Sequence, residues 1–70
     1  MLRQVVESQI IKSVGYDRHT ATLEVEFRNG WIYEYDDVPQ RVHADLMAAP
    51  SHGKYLKRHI VERFVTRRTR

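Results

Sequence analysis

Positively charged side chains are concentrated in the last quarter of this 70-residue sequence. Residues 54–70 contain seven lysines and arginines and a single acid, Glu62, whereas residues 1–53 contain five lysines and arginines and eight acids. The two parts therefore carry formal net charges of +6 and −3. This asymmetry indicates an anionic partner, with nucleic acid the usual candidate, although a basic segment can also serve only to solvate a small protein.

Most of these cations follow a predicted helix start at Ser51. The segment Gly53-Lys54-Tyr55-Leu56-Lys57-Arg58 lacks the glycine spacing of a Walker loop, but the first turn of a helix offers free backbone amides to a phosphate. The candidate phosphate contacts are Lys54, Lys57, Arg58, Arg63, Arg67 and Arg68, with Tyr55 as an interleaved stacking residue. The alternative is an amphipathic helix with an ordinary cationic outer face.

Tyr33 and Tyr35 form a second candidate group, because they flank Glu34 at a spacing of two. Aromatic side chains on a sheet can stack on unpaired bases. Tyrosines at this spacing in a hairpin are also normal core residues of a small domain. The strand register discussed below favours the core role, so the two tyrosines are the weaker candidates for nucleic-acid contact.

Few residues indicate catalysis or metal binding. The chain has no cysteine, Ser51 is explained as a helix cap, and Asp36-Asp37 precede a helix start, where carboxylates are stabilising. The histidines are His19, His43, His52 and His59. No two of them have the three-to-five-residue spacing of common zinc signatures. We therefore predict no enzymatic activity, no metal site and no cofactor.

The elements that must position these side chains begin with three alternating segments. Residues 8–16 (SQIIKSVGY), 21–27 (ATLEVEF) and 31–36 (WIYEYD) alternate between apolar and polar side chains and predict an antiparallel meander. In the first segment we expect Ile10, Val14 and Tyr16 on one side, and Ser13 and Gly15 on the other. The first turn is expected at residues 17–20.

The second turn, around Asn29-Gly30, allows two registers. A two-residue loop would pair Arg28 with Trp31 and would place the aromatics beside glutamates on a solvent-facing stripe. A three-residue loop with glycine in the left-handed position would pair Phe27 with Trp31 and would put all apolar side chains on one face. Because a one-residue slip exchanges the two faces, the burial pattern favours the three-residue loop.

Two short helices are predicted next, over residues 39–48 and from the Ser51 cap to about residue 59. Val42, Leu46 and Ala49 form the inner stripe of the first, and Leu56 and Ile60 that of the second. Residues 61–66 are predicted to be extended, although helical spacing continues to residue 64. Residues 67–70 are expected to fray as a basic tail.

These elements together predict an α+β fold, a three-stranded antiparallel meander followed by two short helices and an extended C-terminal segment. A chain of this length supports one domain, which we place at residues 1–66. No apolar run reaches the length of a signal peptide or of a membrane span, so we expect a cytoplasmic protein that does not bind membranes.

The order of these features resembles the KTSC domain family, which is named for its occurrence at the C-terminus of some lysyl-tRNA synthetases. The similar positions are Val14-Gly15-Tyr16-Asp17, residues 23–27, Asn29-Gly30, Tyr33-Glu34-Tyr35, Asp37-Val38-Pro39, Ala49, Ser51, Gly53-Lys54-Tyr55 and Ile60. The similarity extends from about Ser8 to Phe64. It implies the stand-alone form of the domain, of bacterial or phage origin, and the synthetase association suggests RNA.

Two functions remain open. The first is a non-catalytic nucleic-acid-binding module, with RNA preferred over DNA, that uses the second helix and the C-terminal segment. The second is a protein-interaction module or homodimer, which would use an exposed edge strand near residues 10–16 and the apolar Trp31.

Overall fold

The computed structural model describes all 70 residues and contains five strands and two helices. The elements are β1 (Arg3–Val5), β2 (Ile11–Asp17), β3 (Thr22–Phe27), β4 (Ile32–Tyr35), α1 (Gln40–Ala48), α2 (His52–His59) and β5 (Thr66–Arg68). The strands form one antiparallel sheet in the order β1-β2-β3-β4-β5. Both helices therefore lie in the connection between β4 and β5. The α+β class is confirmed, but the sheet has five strands rather than three.

The two additional strands lie at the edges of the sheet and are three residues long each. Residues 61–64 form turns instead of the expected extended segment, and the strand begins only at Thr66. Arg67 and Arg68, which we expected to fray, pair with Glu34 and Tyr33 of β4. Backbone hydrogen bonds to β4 hold residues 66–68 in the sheet. Because sequence analysis recognises a strand by alternating apolar side chains, which this segment lacks, it could not identify β5.

The β3–β4 hairpin has the predicted three-residue loop. The amide of Phe27 donates to the carbonyl oxygen of Trp31 at 2.8 Å, and Gly30 has a φ of +91°. Further along, Val25 pairs with Tyr33. This register places the apolar side chains of both strands on one face, as the burial argument required.

Strand β2 differs from the prediction because it contains a β-bulge. Ile11 pairs with Phe27 and Ser13 pairs with Glu26, so Lys12 is the extra residue between them. The bulge exchanges the two isoleucines: Ile11 is completely buried, whereas Ile10 is 47% exposed. The alternation predicted Ile10 on one side with Val14 and Tyr16, but Ile11 takes the buried position beside Val14 instead. The expectation of an edge strand near residues 10–16 is wrong, since β1 and β3 flank β2.

The helices cover one face of the sheet and complete the core. Helix α2 begins after Ser51, whose Oγ accepts a hydrogen bond from the amide of Lys54, as predicted. The ten residues of the main buried cluster are Val6, Ile11, Val14, Leu23, Val25, Tyr35, Val38, Leu46, Leu56 and Ile60. The opposite face of the sheet, called the open face below, carries charged side chains from β1, β2, β3, β4 and β5. Neither helix has the length and apolar composition needed to cross a membrane.

Candidate nucleic-acid interface

Three cations, Lys54, Lys57 and Arg58, form an exposed ridge on α2. Residues three and four apart in a helix lie on the same side, so the three side chains are neighbours. None of them forms an ion pair, and all carboxylate contacts of this chain's cations involve Arg3, Lys12 or Arg67. We call these three residues the α2 ridge. Their charges are not neutralised by any carboxylate of the same chain.

Two surface depressions adjoin the α2 ridge. The first has a volume of about 380 Å³ and includes Lys54 and Lys57. Its other lining residues are Glu7, Ser8, Gln9, Ile10, Pro50, Ser51, His52 and Gly53. The second has a volume of about 300 Å³ and includes Lys54 and Arg58, beside Tyr55. The helix N-terminus and the ridge are therefore accessible from both sides.

Tyr55 and Arg63 lie close to the ridge in sequence but in different environments. Tyr55 is half-buried against the core, and its ring centroid lies 4.5 Å from that of His59 at a tilt of 38°. Arg63 is exposed in the turn after α2 and forms no ion pair. Arg63 is therefore available to an anion, whereas the ring of Tyr55 is already partly covered.

Arg67 lies on the open face, where two carboxylates hold it. Its guanidinium donates to Glu34 Oε1 at 2.7 Å and to Asp36 Oδ2. These hydrogen bonds, that to Glu34 first, raise the pKa of Arg67 above its ordinary value. The side chain thus fills an intramolecular role that the sequence did not reveal, and it is separated from the α2 ridge by the sheet.

Arg68 extends to the opposite, helix-side face. Its guanidinium carbon lies 3.9 Å from the ring centroid of Trp31, which is a cation–π distance. Trp31 is 43% exposed and its ring lies nearly parallel to that of Tyr33, with centroids 6.3 Å apart. Arg68 has no carboxylate partner. It therefore belongs to an aromatic cluster rather than to a frayed tail.

The two tyrosine candidates have different environments. Tyr35 is only 2% exposed, and its burial raises the pKa of the phenol to about 12. Tyr33 is half-buried and contacts Phe27 edge-to-face at 5.6 Å. Tyr35 is therefore covered by the core, whereas Tyr33 keeps part of its surface near solvent.

These aromatics line the largest surface depression, which we call the aromatic groove. It has a volume of about 490 Å³. The lining residues are Gln9, Ile10, Phe27, Arg28, Asn29, Trp31, Tyr33, Tyr35 and Val61.

The groove and the α2 ridge are adjacent in space. Gln9 and Ile10 line both the aromatic groove and the depression that contains Lys54 and Lys57. Among the residues predicted from sequence, the structure thus brings together the α2 ridge, Tyr33 and the neighbouring Arg68. It separates Arg67 from them. Sequence reasoning missed Ile10, which the bulge turns outward, and it gave no reason to connect Trp31 with Arg68.

The histidines have structural contacts of their own. His43 stacks on Tyr16 with centroids 4.7 Å apart, and burial lowers the pKa of its imidazole. Nδ1 of His52 donates to the carbonyl oxygen of Leu46 at 2.9 Å. No group of three or more potential metal ligands occurs in the structure.

The comparisons with known proteins agree on one family. The model of the KTSC domain matches residues 7–64. The crystal structure of a KTSC domain protein from Yersinia pestis superposes with a TM-score of 0.92 at 40% identity, covering 96% of this chain and 94% of that protein. An uncharacterized protein from Stutzerimonas stutzeri is 40% identical over 55 residues, which are 79% of this chain and 78% of that protein.

Longer relatives contain a similar segment. A lysine–tRNA ligase from Nostoc punctiforme is 41% identical over 58 residues, which are 83% of this chain and 10% of the ligase. The chain therefore spans only about a tenth of the length of the lysine–tRNA ligases that it matches.

Proposed function

Because this chain belongs to the KTSC domain family, we propose that it is a small non-catalytic module that binds nucleic acid, with RNA preferred over DNA. The preference for RNA is supported by the similar segment in proteins named as lysine–tRNA ligases, since such an enzyme acts on an RNA. The module also exists at nearly full length in relatives that have no ligase region, such as the Stutzerimonas stutzeri protein.

The observation that carries the proposal is the absence of carboxylate partners along the α2 ridge. On the open face, Arg3, Lys12 and Arg67 each lie within 4.0 Å of a carboxylate oxygen. Lys54, Lys57 and Arg58 do not. An unpaired cationic ridge attracts phosphates, and release of their counterions makes binding favourable and dependent on salt.

The ridge is also held in place by the fold. The Ser51 cap fixes the start of α2, and Leu56 and Ile60 anchor its inner side in the core. The cationic side chains therefore project from a positioned helix, with exposed Arg63 following it. A positioned set of phosphate contacts gives a defined orientation on the nucleic acid, although it carries no sequence information.

The test is a titration of a fluorescently labelled single-stranded RNA, by anisotropy, between about 50 and about 200 mM salt. Three phosphate contacts on a single strand predict a slope of log affinity against log salt of about −2.1. The double variant Lys57→Gln/Arg58→Gln should reduce the slope to about −0.7. A DNA strand of the same sequence tests the preference for RNA.

The matched control is Arg18→Gln/Arg41→Gln, which removes two exposed charges outside α2. This variant should keep the slope of the unchanged protein. Undetectable or salt-independent binding would contradict the proposed function. Equal losses in both double variants would contradict the assignment to the α2 ridge, because they would indicate a response to net charge alone.

A second candidate, self-association, is favoured by the β1 edge. Leu2 is 95% exposed and Val5 is 74% exposed, and β1 is an edge strand with one unpaired side. Exposed apolar edge strands can pair with another chain. Light scattering over a range of concentrations would detect a dimer, and Val5→Lys should dissociate it. A monomer at every concentration and at low salt would exclude this candidate.

A further inference from the structure

We propose that the aromatic groove binds an unpaired nucleobase, with Trp31 as the stacking surface and the guanidinium of Arg68 contacting the adjoining phosphate. This inference rests on the proposed function, since it specifies which part of a nucleic acid the module recognises. It makes the ligand a single strand or a loop, because bases within a duplex are stacked on one another and their flat sides are unavailable.

The chemistry of the groove fits a base better than it fits a cationic or a purely aliphatic ligand. Six of its nine lining residues are hydrophobic and none is acidic. Its volume of about 490 Å³ lies within the range of pockets that hold small organic ligands. Arg28 lines the groove with its guanidinium held by the carbonyl oxygens of Ser8 and Val6, and Arg68 of β5 lies against Trp31. The lining therefore combines aromatic surface with positive charge, the combination used by single-strand-binding proteins.

Trp31 can stack on a base because its backbone is fixed by the hairpin while its side chain remains partly exposed to solvent. The backbone of Trp31 is fixed by the hairpin, where its carbonyl oxygen accepts from the Phe27 amide. Trp31 as a whole remains 43% exposed, and the guanidinium of Arg68 lies over its ring. At an exposed site such a cation–π contact is worth a factor of about 2 to 5, whereas stacking one base is worth a factor of about 5 to 140. A base can therefore displace Arg68, and the released guanidinium can pair with a phosphate.

The groove also continues toward the α2 ridge. Gln9 and Ile10 are shared between the aromatic groove and the depression that contains Lys54 and Lys57. A strand whose base occupies the groove can thus extend its backbone past Ile10 to the ridge. This arrangement lets one strand combine base stacking with phosphate contacts.

The first experiment uses the fact that Trp31 is the only tryptophan of the chain. Its emission is recorded during titration with adenosine 5′-monophosphate, with a short oligoadenylate and with a blunt RNA duplex. Stacking should quench the emission with the monophosphate and, at lower concentration, with the oligoadenylate, but not with the duplex. Emission that is unchanged by both of the first two probes would overturn the inference.

The second experiment measures binding of the labelled oligoadenylate by anisotropy. Trp31→Ala should weaken binding about 5- to 140-fold, whereas Trp31→Phe, which keeps an aromatic ring, should lose much less. Val65→Ala is the control, because Val65 is an exposed apolar residue outside the groove. Circular dichroism of each variant verifies that the fold is retained. Equal affinities of Trp31→Ala and Val65→Ala would overturn the inference.

The two experiments separate this inference from the proposed function. Salt-dependent strand binding without any change in Trp31 emission would overturn the base site and leave the α2 ridge supported. Quenching by the monophosphate without strand binding would support the base site and contradict the proposed function. Emission that changes when the free protein is diluted would show that a second copy occupies the groove, and this outcome would also overturn the inference.

Discussion

Arg67 and Arg68 are neighbours in β5, yet they belong to different regions of the molecule. Arg67 points to the open face and is held by Glu34 and Asp36. Arg68 points to the helix side and lies over Trp31, with no carboxylate partner. The alternation of a strand therefore places one arginine in a neutralising network and the other beside an aromatic groove.

The same contrast extends to the whole sheet. On the open face, glutamates of β3 and β4 form a central acidic row, and cations from β1, β2 and β5 pair with them. On the helix side, apolar side chains form the core beneath α1 and α2, and several of them are open to solvent in the aromatic groove. The formal net charge of the C-terminal segment is thus larger than the charge that is available to a ligand, because Arg67 is neutralised by carboxylates of the same chain.

The largest expected difference between the two faces concerns adjacent residues of β3. Leu23→Ala should lower the free energy of unfolding by about 2–5 kcal/mol, because Leu23 is completely buried on the helix side. Glu24→Gln should cost less than about 1 kcal/mol, because its partner Arg3 is 3.5 Å away in a partly exposed pair. Denaturant unfolding of both variants measures the contrast. Similar costs would show that the open face contributes to stability as much as the core does.

A close approach on the open face should have the next largest effect. A β-carbon at Gly15 would lie 2.8 Å from the carbonyl oxygen of Leu2, so Gly15→Ala should destabilise the protein by about 1–3 kcal/mol or release β1. Gly53→Ala is the matched control, since its β-carbon would lie 3.5 Å from Ile10 at an ordinary contact distance. Hydrogen exchange of the β1 amides, with unfolding curves, distinguishes the two outcomes. Equal behaviour of the two variants would contradict the close packing of β1.

A buried tyrosine on the helix side, Tyr35, should make the stability of the fold depend on pH in the alkaline range. Burial raises the pKa of Tyr35 from 10.0 to about 12, so the folded state disfavours the phenolate. The unfolded chain therefore releases its proton first, and stability should decrease as pH rises from 10 to about 12. At pH 11 the loss is on the order of 1 kcal/mol. Tyr35→Phe should lack this component, and unfolding curves of both proteins at several pH values measure it. Parallel pH dependences of the two proteins would contradict the assignment.

The smallest effect on stability concerns the two neighbouring arginines. Arg67→Gln should reduce stability only slightly, since the ion pairs that Glu34 and Asp36 lose are solvent-exposed, and it should not change the affinity for a single strand. Arg68→Gln should leave stability nearly unchanged and weaken strand binding. Thermal unfolding and anisotropy titrations on both variants test the pair. If Arg67→Gln weakens strand binding as much as Arg68→Gln does, the assignment of strand binding to the helix side is contradicted.

Much of the fold could be predicted from sequence because its signals are local. The Asn29-Gly30 turn and the alternation of residues 21–27 identified the central hairpin and its register. Ser51 and the Leu56–Ile60 spacing identified α2. The bulge at Lys12 could not be predicted, because the segment around it alternates acceptably in either register and only pairing with β3 decides between Ile10 and Ile11. The edge strands could not be predicted because they have no apolar face of their own.

The candidate site, like the fold, has one part that local sequence signals predict and another that depends on tertiary contacts. The sequence alone determined that α2 carries Lys54, Lys57 and Arg58 on its outer side, because helix periodicity places a buried stripe opposite them. Only the tertiary structure decided which other cations are available and where the aromatic surface lies. Arg67 meets Asp36 across 31 residues of chain, and the groove is lined by residues that extend from Gln9 to Val61 in the sequence. Both features depend on contacts between distant segments, which no local pattern encodes.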